Sequence, residues 1–262
     1  DIKCKEVREY VLSHIDWDCD VKTLFRDENL GCGENVYRAI TWFFESVEQG
    51  IVLEDDCLPV NSYFSFCEKM LDLYKDDERI FAISGTNIND SLTFANDYFF
   101  SYFGGNWGWA SWSRAWCHYS FDISQLCTRE NYEKCEKNLA IKGVKKWLPR
   151  YVDKKIDTWD YQWDFSVLYN NGLAIIPAYN LVMNIGFGED ATHTSSTRKG
   201  NQGVLHQMST NISFRDNVQQ DKEFDNICLK VSKWDVIKWE LKKSSPEWLK
   251  KAHKLFWKIK SR

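Results

Sequence analysis

The stretch GIVLEDDCLP, residues 50–59, joins branched apolar residues directly to three consecutive carboxylates. The apolar run is typical of a short strand buried on both faces of a sheet. On a strand, Glu54 and Asp56 share one face and Asp55 takes the other. Like charges at this spacing repel each other, and a bound cation would offset the repulsion. A solvated acidic turn is the alternative interpretation of this acidic triplet.

The sequence around the triplet predicts alternating strands and helices. Val21 to Phe25 predicts a short strand, and apolar residues at helical spacing from Val36 to Val47 predict a helix. The same patterns predict a helix over 62–74, strands over 79–84, 98–103 and 174–177, and a helix that begins near 158. This order favours an α/β fold, a mostly parallel sheet with helices on both faces. Ligands of such sheets bind beyond the carboxyl ends of the strands, where the triplet is expected.

Composition and charge narrow the class of protein. The chain has 262 residues, of which 44% are hydrophobic, so it can bury a sizeable core. Its nine cysteines include no CxxC pair and no zinc-site spacing, which favours reduced thiols in a cytoplasmic protein. No apolar run is long enough to span a bilayer, and no export leader is visible at the start. We therefore expect neither a membrane-spanning segment nor an export signal.

The net charge of -4 is unevenly distributed along the chain. Residues 229–262 hold eleven Lys/Arg against three Asp/Glu, so the preceding part is strongly acidic. An acidic main domain argues against a nucleic-acid enzyme. We therefore predict a main domain over residues 1–217 and a basic tail over 218–262.

Carboxylate oxygens without neighbouring cysteines or a histidine cluster suit Mn²⁺ or Mg²⁺ rather than zinc. Ions of this kind commonly hold substrate phosphates. The triplet therefore predicts a site for a phosphate-bearing ligand and its metal.

Five segments together resemble the nucleotide-diphospho-sugar transferases of GT-A fold, in particular a bacterial glycosyltransferase family described as hemolytic-protein-like. The segments are DWDCDVKTLFRDENLGCG, GIVLEDDCLP, NWGWASWSRAW, TWDYQW and NLVMNIGFGEDATHT. A remoter similarity is to the N-acetylglucosaminyltransferase that begins complex N-glycan branching. The family usually begins with an additional strand and helix, and this chain looks as if it lacks that N-terminal strand-helix unit.

The resemblance implies a metal-dependent hexosyl- or N-acetylhexosaminyltransferase that inverts the anomeric carbon. The donor would be a nucleotide sugar, with a UDP-sugar favoured, and the acceptor a glycan or a lipid-linked sugar. Asp56 would ligate the metal, while Asp55 and Glu54 would face the ribose and sugar of the donor. Asp160 would be the general base, with Asp164 as its substitute.

Other positions are candidates for the binding site. Asn29, Gly31 and Gly33 could let backbone amides approach a phosphate, or could simply make a tight turn before a helix. The remaining candidates are Trp107 for the donor, Gly105, Trp109, Trp159 and Gln162 for the acceptor or sugar, and His193 for the metal. Indole rings offer apolar area and an N–H donor to a sugar, although most tryptophans pack in cores, as we expect for Trp112 and Trp116. A single histidine in a polar loop is more often structural than a ligand.

The basic tail predicts an amphipathic helix that begins at Ser245 and Pro246. Its apolar stripe could lie on an anionic membrane surface or dock on the body of the protein itself. The main hypothesis is thus a bacterial glycosyltransferase of polysaccharide biosynthesis, in the cytoplasm or peripheral at the inner membrane face. The rival is a non-catalytic carbohydrate-binding protein with a structural ion. A metal-dependent phosphohydrolase is disfavoured because the sequence lacks a second carboxylate cluster.

Overall fold

The computed structural model describes residues 2–87, 96–138, 157–186, 204–209 and 211–228. The helices are α1 (Ile2–Ser13), α2 (Gly31–Ser46), α3 (Asn61–Leu73), α4 (Ser113–Trp116), α5 (Arg129–Asn138) and α6 (Asp160–Tyr169). The strands are β1 (Gln49–Val52), β2 (Cys57–Pro59), β3 (Ile80–Ser84), β4 (Tyr98–Ser101), β5 (Trp109–Trp112), β6 (Leu173–Pro177) and β7 (Val182–Asn184). Residues 222–228 are also helical.

Five strands form the central sheet in the order β1-β5-β3-β6-β4. β3 and β6 are parallel, whereas β5 pairs antiparallel with both β1 and β3, and β4 pairs antiparallel with β6. Thus β1, β3 and β6 run in one direction, and β4 and β5 run in the other. The α/β class is confirmed, but the sheet is mixed rather than mostly parallel, because β5 inserts antiparallel between β1 and β3. A separate ribbon pairs β2 with β7.

Both faces of the sheet are covered, because neighbouring side chains on each strand enter different apolar cores. On one face, Phe66 and Met70 of α3 pack with Ile83 and Ile175. On the other face, α2 packs against a second core that contains four tryptophans. These are Trp109, Trp116, Trp159 and Trp163. The prediction of helices on both faces is confirmed.

Most of the predicted elements are present, within a few residues of their expected ends. The strand predicted from Val21 to Phe25 is wrong: this stretch has no regular structure, and both of these side chains are about half exposed. Without a neighbouring strand, its backbone groups have no ladder to join. β1 is also not buried on both faces, because it is a partly exposed strand at the end of the sheet order. The sequence predicts a glycine-bearing loop over 180–194, but part of this segment is β7.

The last described residues pack with the body of the protein. Gln220 forms a bridge with Phe100 of β4, and Phe224 is 1% exposed. The predicted tail helix from Ser245 lies outside the described residues. In the described ranges, no helix combines the length and the apolar character needed to cross a membrane. All nine cysteines are free.

Asp225 ties this last helical segment to the end of β4. One carboxylate oxygen accepts hydrogen bonds from the Ser101 hydroxyl at 2.6 Å and from the Tyr102 N–H at 3.3 Å. The other oxygen is buried without a hydrogen-bond partner among the described residues. Burial raises the pKa of Asp225 to about 6, and the neighbouring Asp221 adds to the effect. The fold therefore favours the protonated acid.

An Asp225→Asn variant should be more stable than the wild type at pH 8, by about 1–3 kcal/mol. A raised pKa gives the folded state a contribution that is complete below the ordinary pKa of aspartate and is lost as the pH rises through about 6. Asparagine keeps an oxygen for Ser101 and Tyr102 and carries no charge. Urea unfolding at pH 4 to 8 should show this advantage growing with pH. Asp216→Asn, at an exposed position, controls for the lost charge, and an equal gain there would contradict the explanation.

Candidate active site

The acidic triplet lies in the turn between β1 and β2, at the carboxyl end of β1. The N–H of Cys57 donates to the Glu54 carbonyl at 3.1 Å, which closes the turn. The side chain of Asp55 is exposed, whereas those of Glu54 and Asp56 are partly buried. The triplet therefore occupies the position predicted for it, with two carboxylates turned partly inward.

Asp56 is fixed by the segment that follows β7. Its carbonyl accepts a hydrogen bond from the Ile185 N–H at 2.8 Å. Its carboxylate lies so close to Gly186 that a side chain at that position would collide with it. Gly186 in turn donates its N–H to Asn184 at 2.8 Å. The glycine therefore gives the Asp56 carboxylate the space in which it lies.

Asp160, at the first turn of α6, faces the triplet. Its Oδ1 accepts hydrogen bonds from the Thr158 hydroxyl and, at 2.9 Å, from the Tyr161 N–H. A carboxylate is favourable at a helix N-terminus because its negative charge interacts with the positive end of the helix dipole. Asp160 is close enough to Glu54 to raise the pKa of that carboxyl. Two distant segments of the sequence thus bring carboxylates together at one end of β1.

Glu54 lies among the other carboxylates of this site. Burial raises the pKa of Glu54 to about 7, and repulsion from Asp56, Asp160 and Asp55 adds to the effect. A hydrogen bond from the Trp159 side chain opposes the shift. The charged groups that act on Glu54 are all acidic, so a bound cation would be favoured here.

Asp164 lies one helical turn after Asp160 on α6. Burial raises its pKa well above the usual range for an aspartate, and repulsion from Asp160 raises it further. A hydrogen bond with Asn106 opposes the shift. The fold therefore favours the protonated form of Asp164.

The start of α2 does not match the predicted phosphate site. The Gly31 N–H donates to Asn29 at 2.8 Å, and the Cys32 and Gly33 N–H groups donate to the Asp157 carboxylate at 2.9 and 2.8 Å. These amides are already bonded within the chain. The two glycines are needed because the segment at Asp157 approaches closely, and Gly31 also has a φ of +79°. The tight-turn interpretation therefore fits this structure better.

The candidate tryptophans lie in two different environments, the buried core and the exposed loop before β5. Trp109 and Trp159 are 1% and 2% exposed and stack on each other with ring centroids 5.6 Å apart. Neither offers an open face for a sugar, so the stacking role predicted for them does not fit this burial. Trp107 is 36% exposed, on the loop before β5. Trp112 and Trp116 are buried, as expected.

The remaining candidates are held mainly by the protein itself. The Gly105 N–H donates to the Ser84 hydroxyl at 3.1 Å, and a side chain at Gly105 would collide with Thr86. Its close approach is therefore to β3 and the residues after it rather than to a ligand. Gln162 donates to the Thr158 carbonyl at 3.1 Å, and its side-chain oxygen has no hydrogen-bond partner among the described residues.

A metal site formed by protein groups alone is not present in the described parts of the chain. No group of three or more His, Cys, Asp or Glu side chains there is arranged to hold an ion. His193 lies outside the described residues. Mg²⁺ is usually bound by one or two carboxylates together with substrate phosphates and water, so Asp56 and a bound diphosphate remain a suitable set of ligands.

Sequence reasoning missed Asp157, Asn106 and Thr158. The glycines at 31 and 33 signalled a close backbone approach, but nothing local showed that the partner was a carboxylate more than 100 residues later. No protein-family model matches the chain, and no curated protein matches it either.

Proposed function

We propose that the protein is a metal-dependent inverting glycosyltransferase of GT-A fold, which transfers a sugar from a nucleotide diphosphate to a hydroxyl group. The observation that carries the proposal is the meeting of Glu54, Asp56 and Asp160 at the carboxyl end of β1. This is where ligands bind in α/β sheets. The five segments that resemble the family include all three residues.

In this proposal, each carboxylate has a separate task. Asp56 holds Mn²⁺ or Mg²⁺, which when bound neutralises charge on the leaving diphosphate. Glu54 and Asp55 contact the sugar and ribose of the donor. Asp160 accepts the proton of the acceptor hydroxyl as that oxygen attacks the anomeric carbon. Asp164, whose pKa is raised well above the usual range by burial, is not the first choice for the base.

The sequence resemblance favours a UDP-sugar as donor and a glycan or lipid-linked sugar as acceptor. A cytoplasmic enzyme at the inner membrane face would meet such an acceptor. Trp107 lies on the loop before β5 and is 36% exposed, so its ring is accessible to a ligand. We assign it a contact with the donor.

Asp56→Ala should weaken the binding of a nucleoside diphosphate in the presence of Mn²⁺ by about 100-fold, because metal coordination contributes several kcal/mol. Calorimetric titration with UDP and with GDP, each with and without Mn²⁺, measures this and identifies the base. Asp72→Ala, an exposed carboxylate on α3, is the matched control and should bind as the wild type does.

Two results would count against the proposal. Equal binding by the wild type and Asp56→Ala would show that Asp56 does not hold the metal. Binding of sugars without any binding of nucleoside diphosphate would favour the carbohydrate-binding protein.

A further inference from the structure

The loop before β5 lies at the same edge of the central sheet as the acidic triplet. The first residue of β5, Trp109, pairs with Val52 at the carboxyl end of β1 and with Ser84 at the carboxyl end of β3. Residues 104–108, which lead into β5, therefore lie beside the ends of both strands. Trp107 of this loop is 36% exposed. An accessible aromatic ring is thus presented near the carboxylates from a different part of the chain.

This loop is fixed to the end of β3 at two points. The Gly105 N–H donates to the Ser84 hydroxyl at 3.1 Å, and the Gly85 N–H donates to the Gly108 carbonyl at 2.8 Å. Two consecutive residues at the end of β3 therefore hold both ends of a four-residue arch, residues 105–108. The exposed tryptophan lies between these two fixed ends.

The Ser84 side chain uses its hydrogen-bonding groups entirely inside the protein, where it is 1% exposed. Its hydroxyl oxygen accepts from the N–H groups of Thr86 and Gly105, each at 3.1 Å. The carbonyl oxygens of the same two residues lie 3.0 and 3.1 Å away, so either can accept the hydroxyl proton. A hydroxyl group has one proton and two lone pairs, and all are used here. Ser84 therefore joins β3 to the arch through one buried atom.

Both ends of the arch are also closely packed. A side chain at Gly105 would collide with the Thr86 hydroxyl. Gly108 has a φ of +64°, and a Cβ atom at this position would lie 3.1 Å from the side chain of Leu53. Leu53 directly precedes Glu54, so the second end of the arch packs against the start of the acidic turn.

Ser101, at the end of β4, makes a similar local bond but does not hold the arch. It is 0% exposed, and its hydroxyl oxygen accepts from the Phe103 N–H, two residues later, at 2.9 Å. Ser84 accepts from Thr86 with the same spacing. The Ser101 hydroxyl also donates to Asp225 at 2.6 Å. The bond to the arch is therefore what distinguishes Ser84 from a buried serine of the same local geometry.

We propose that Ser84 is a positioning residue, which holds the arch so that Trp107 is in place to contact the nucleotide of the donor before the donor binds. This inference rests on the proposed function, because it takes the nucleotide sugar as the ligand of Trp107. An arch that is fixed in advance loses less conformational freedom on binding. Part of the affinity for the nucleotide then depends on Ser84, although its side chain is buried and does not touch the ligand.

The test is a double-mutant cycle on nucleotide binding, measured by calorimetry with UDP and Mn²⁺, or with GDP where that is the nucleotide that binds. Ser84→Ala deprives the N–H groups of Thr86 and Gly105 of their shared acceptor, and we expect about tenfold weaker binding. In a Trp107→Ala background, the same substitution should change binding less than about twofold, since the effect passes through Trp107.

Ser101→Ala is the matched control, because it removes a buried hydroxyl that accepts from the same kind of N–H group. It should lower the melting temperature to a similar extent and leave nucleotide binding unchanged. Wild-type affinity in a folded Ser84→Ala would overturn the inference. So would a loss of binding that is equally large in the Trp107→Ala background. A wild-type chain that binds neither nucleotide would instead overturn the proposed function and this inference with it.

A second measurement applies should Ser84→Ala not fold. In the wild type without nucleotide, the Gly105 amide should exchange its hydrogen at least about 100-fold more slowly than an unstructured amide, because its N–H is bonded in a fixed arch. Ser84→Cys replaces the oxygen with a weaker acceptor, so this exchange should become about tenfold faster. Unprotected exchange at Gly105 in the wild type would show that the arch is not fixed in advance and would overturn the inference.

Discussion

An Asp160→Asn variant should transfer sugar about 100- to 10,000-fold more slowly than the wild type, while its nucleotide affinity stays within about threefold. A general base contributes acceleration of this size, and asparagine cannot accept the proton. The amide oxygen can still accept the hydrogen bonds from Thr158 and Tyr161, so the start of α6 should keep its structure. Transfer is measured as nucleoside diphosphate released in the presence of acceptor.

Asp164→Asn is the informative comparison for this prediction, because the residue lies on the same helix one turn away. We expect a smaller loss of rate from it. A large loss in Asp164→Asn together with full activity in Asp160→Asn would move the base to Asp164. Full activity in both variants would show that neither carboxylate of α6 is the general base.

The second large effect concerns stability. Arg114→Ala should lower the free energy of unfolding by about 2–4 kcal/mol, because the guanidinium group bonds three carbonyl groups at once. These belong to Lys75 at 2.7 Å, and to Tyr74 and Ile80 at 2.9 Å each. The guanidinium carbon also lies 4.4 Å from the ring centroid of Trp112. Together these contacts join the end of α3, the start of β3 and α4.

Urea unfolding followed by fluorescence measures the change in Arg114→Ala. The control is Arg38→Ala, which removes an exposed ion pair with Glu34 on α2 and should cost less than about 1 kcal/mol. A similar loss in the two variants would mean that the three carbonyl contacts add little. Arg114→Lys should recover only part of the loss, since an ammonium group lacks the planar fork.

Elements with strong apolar patterns were predictable from the sequence. The spacing of apolar residues located α2 and α3, and the compact apolar runs located β3 and β6. β5 was harder to predict, because the sequence WASW carries no local sign of its direction. Its antiparallel place between β1 and β3 depends on long-range pairing. The stretch from Val21 to Phe25 has a strand-like composition but lacks a partner strand.

The candidate site, like the fold, was predictable only in part from the sequence. The acidic triplet and Asp160 were predicted as site residues because the sequence segments around them resemble a family pattern, and their roles stay predictions. The burial of Trp109 and Trp159 was not, since a tryptophan that stacks on a sugar and one that packs in a core look alike in a sequence. The Asp157 contacts join residues about 125 positions apart, a pairing that no local pattern encodes.

Those Asp157 contacts also bear on how such a chain can change during evolution. The carboxylate anchors the chain to α2 three positions before Asp160, so the start of α6 is tied directly to the start of α2. A substitution at Asp157 would release the start of α2 and the start of α6 together, so this position tolerates little change.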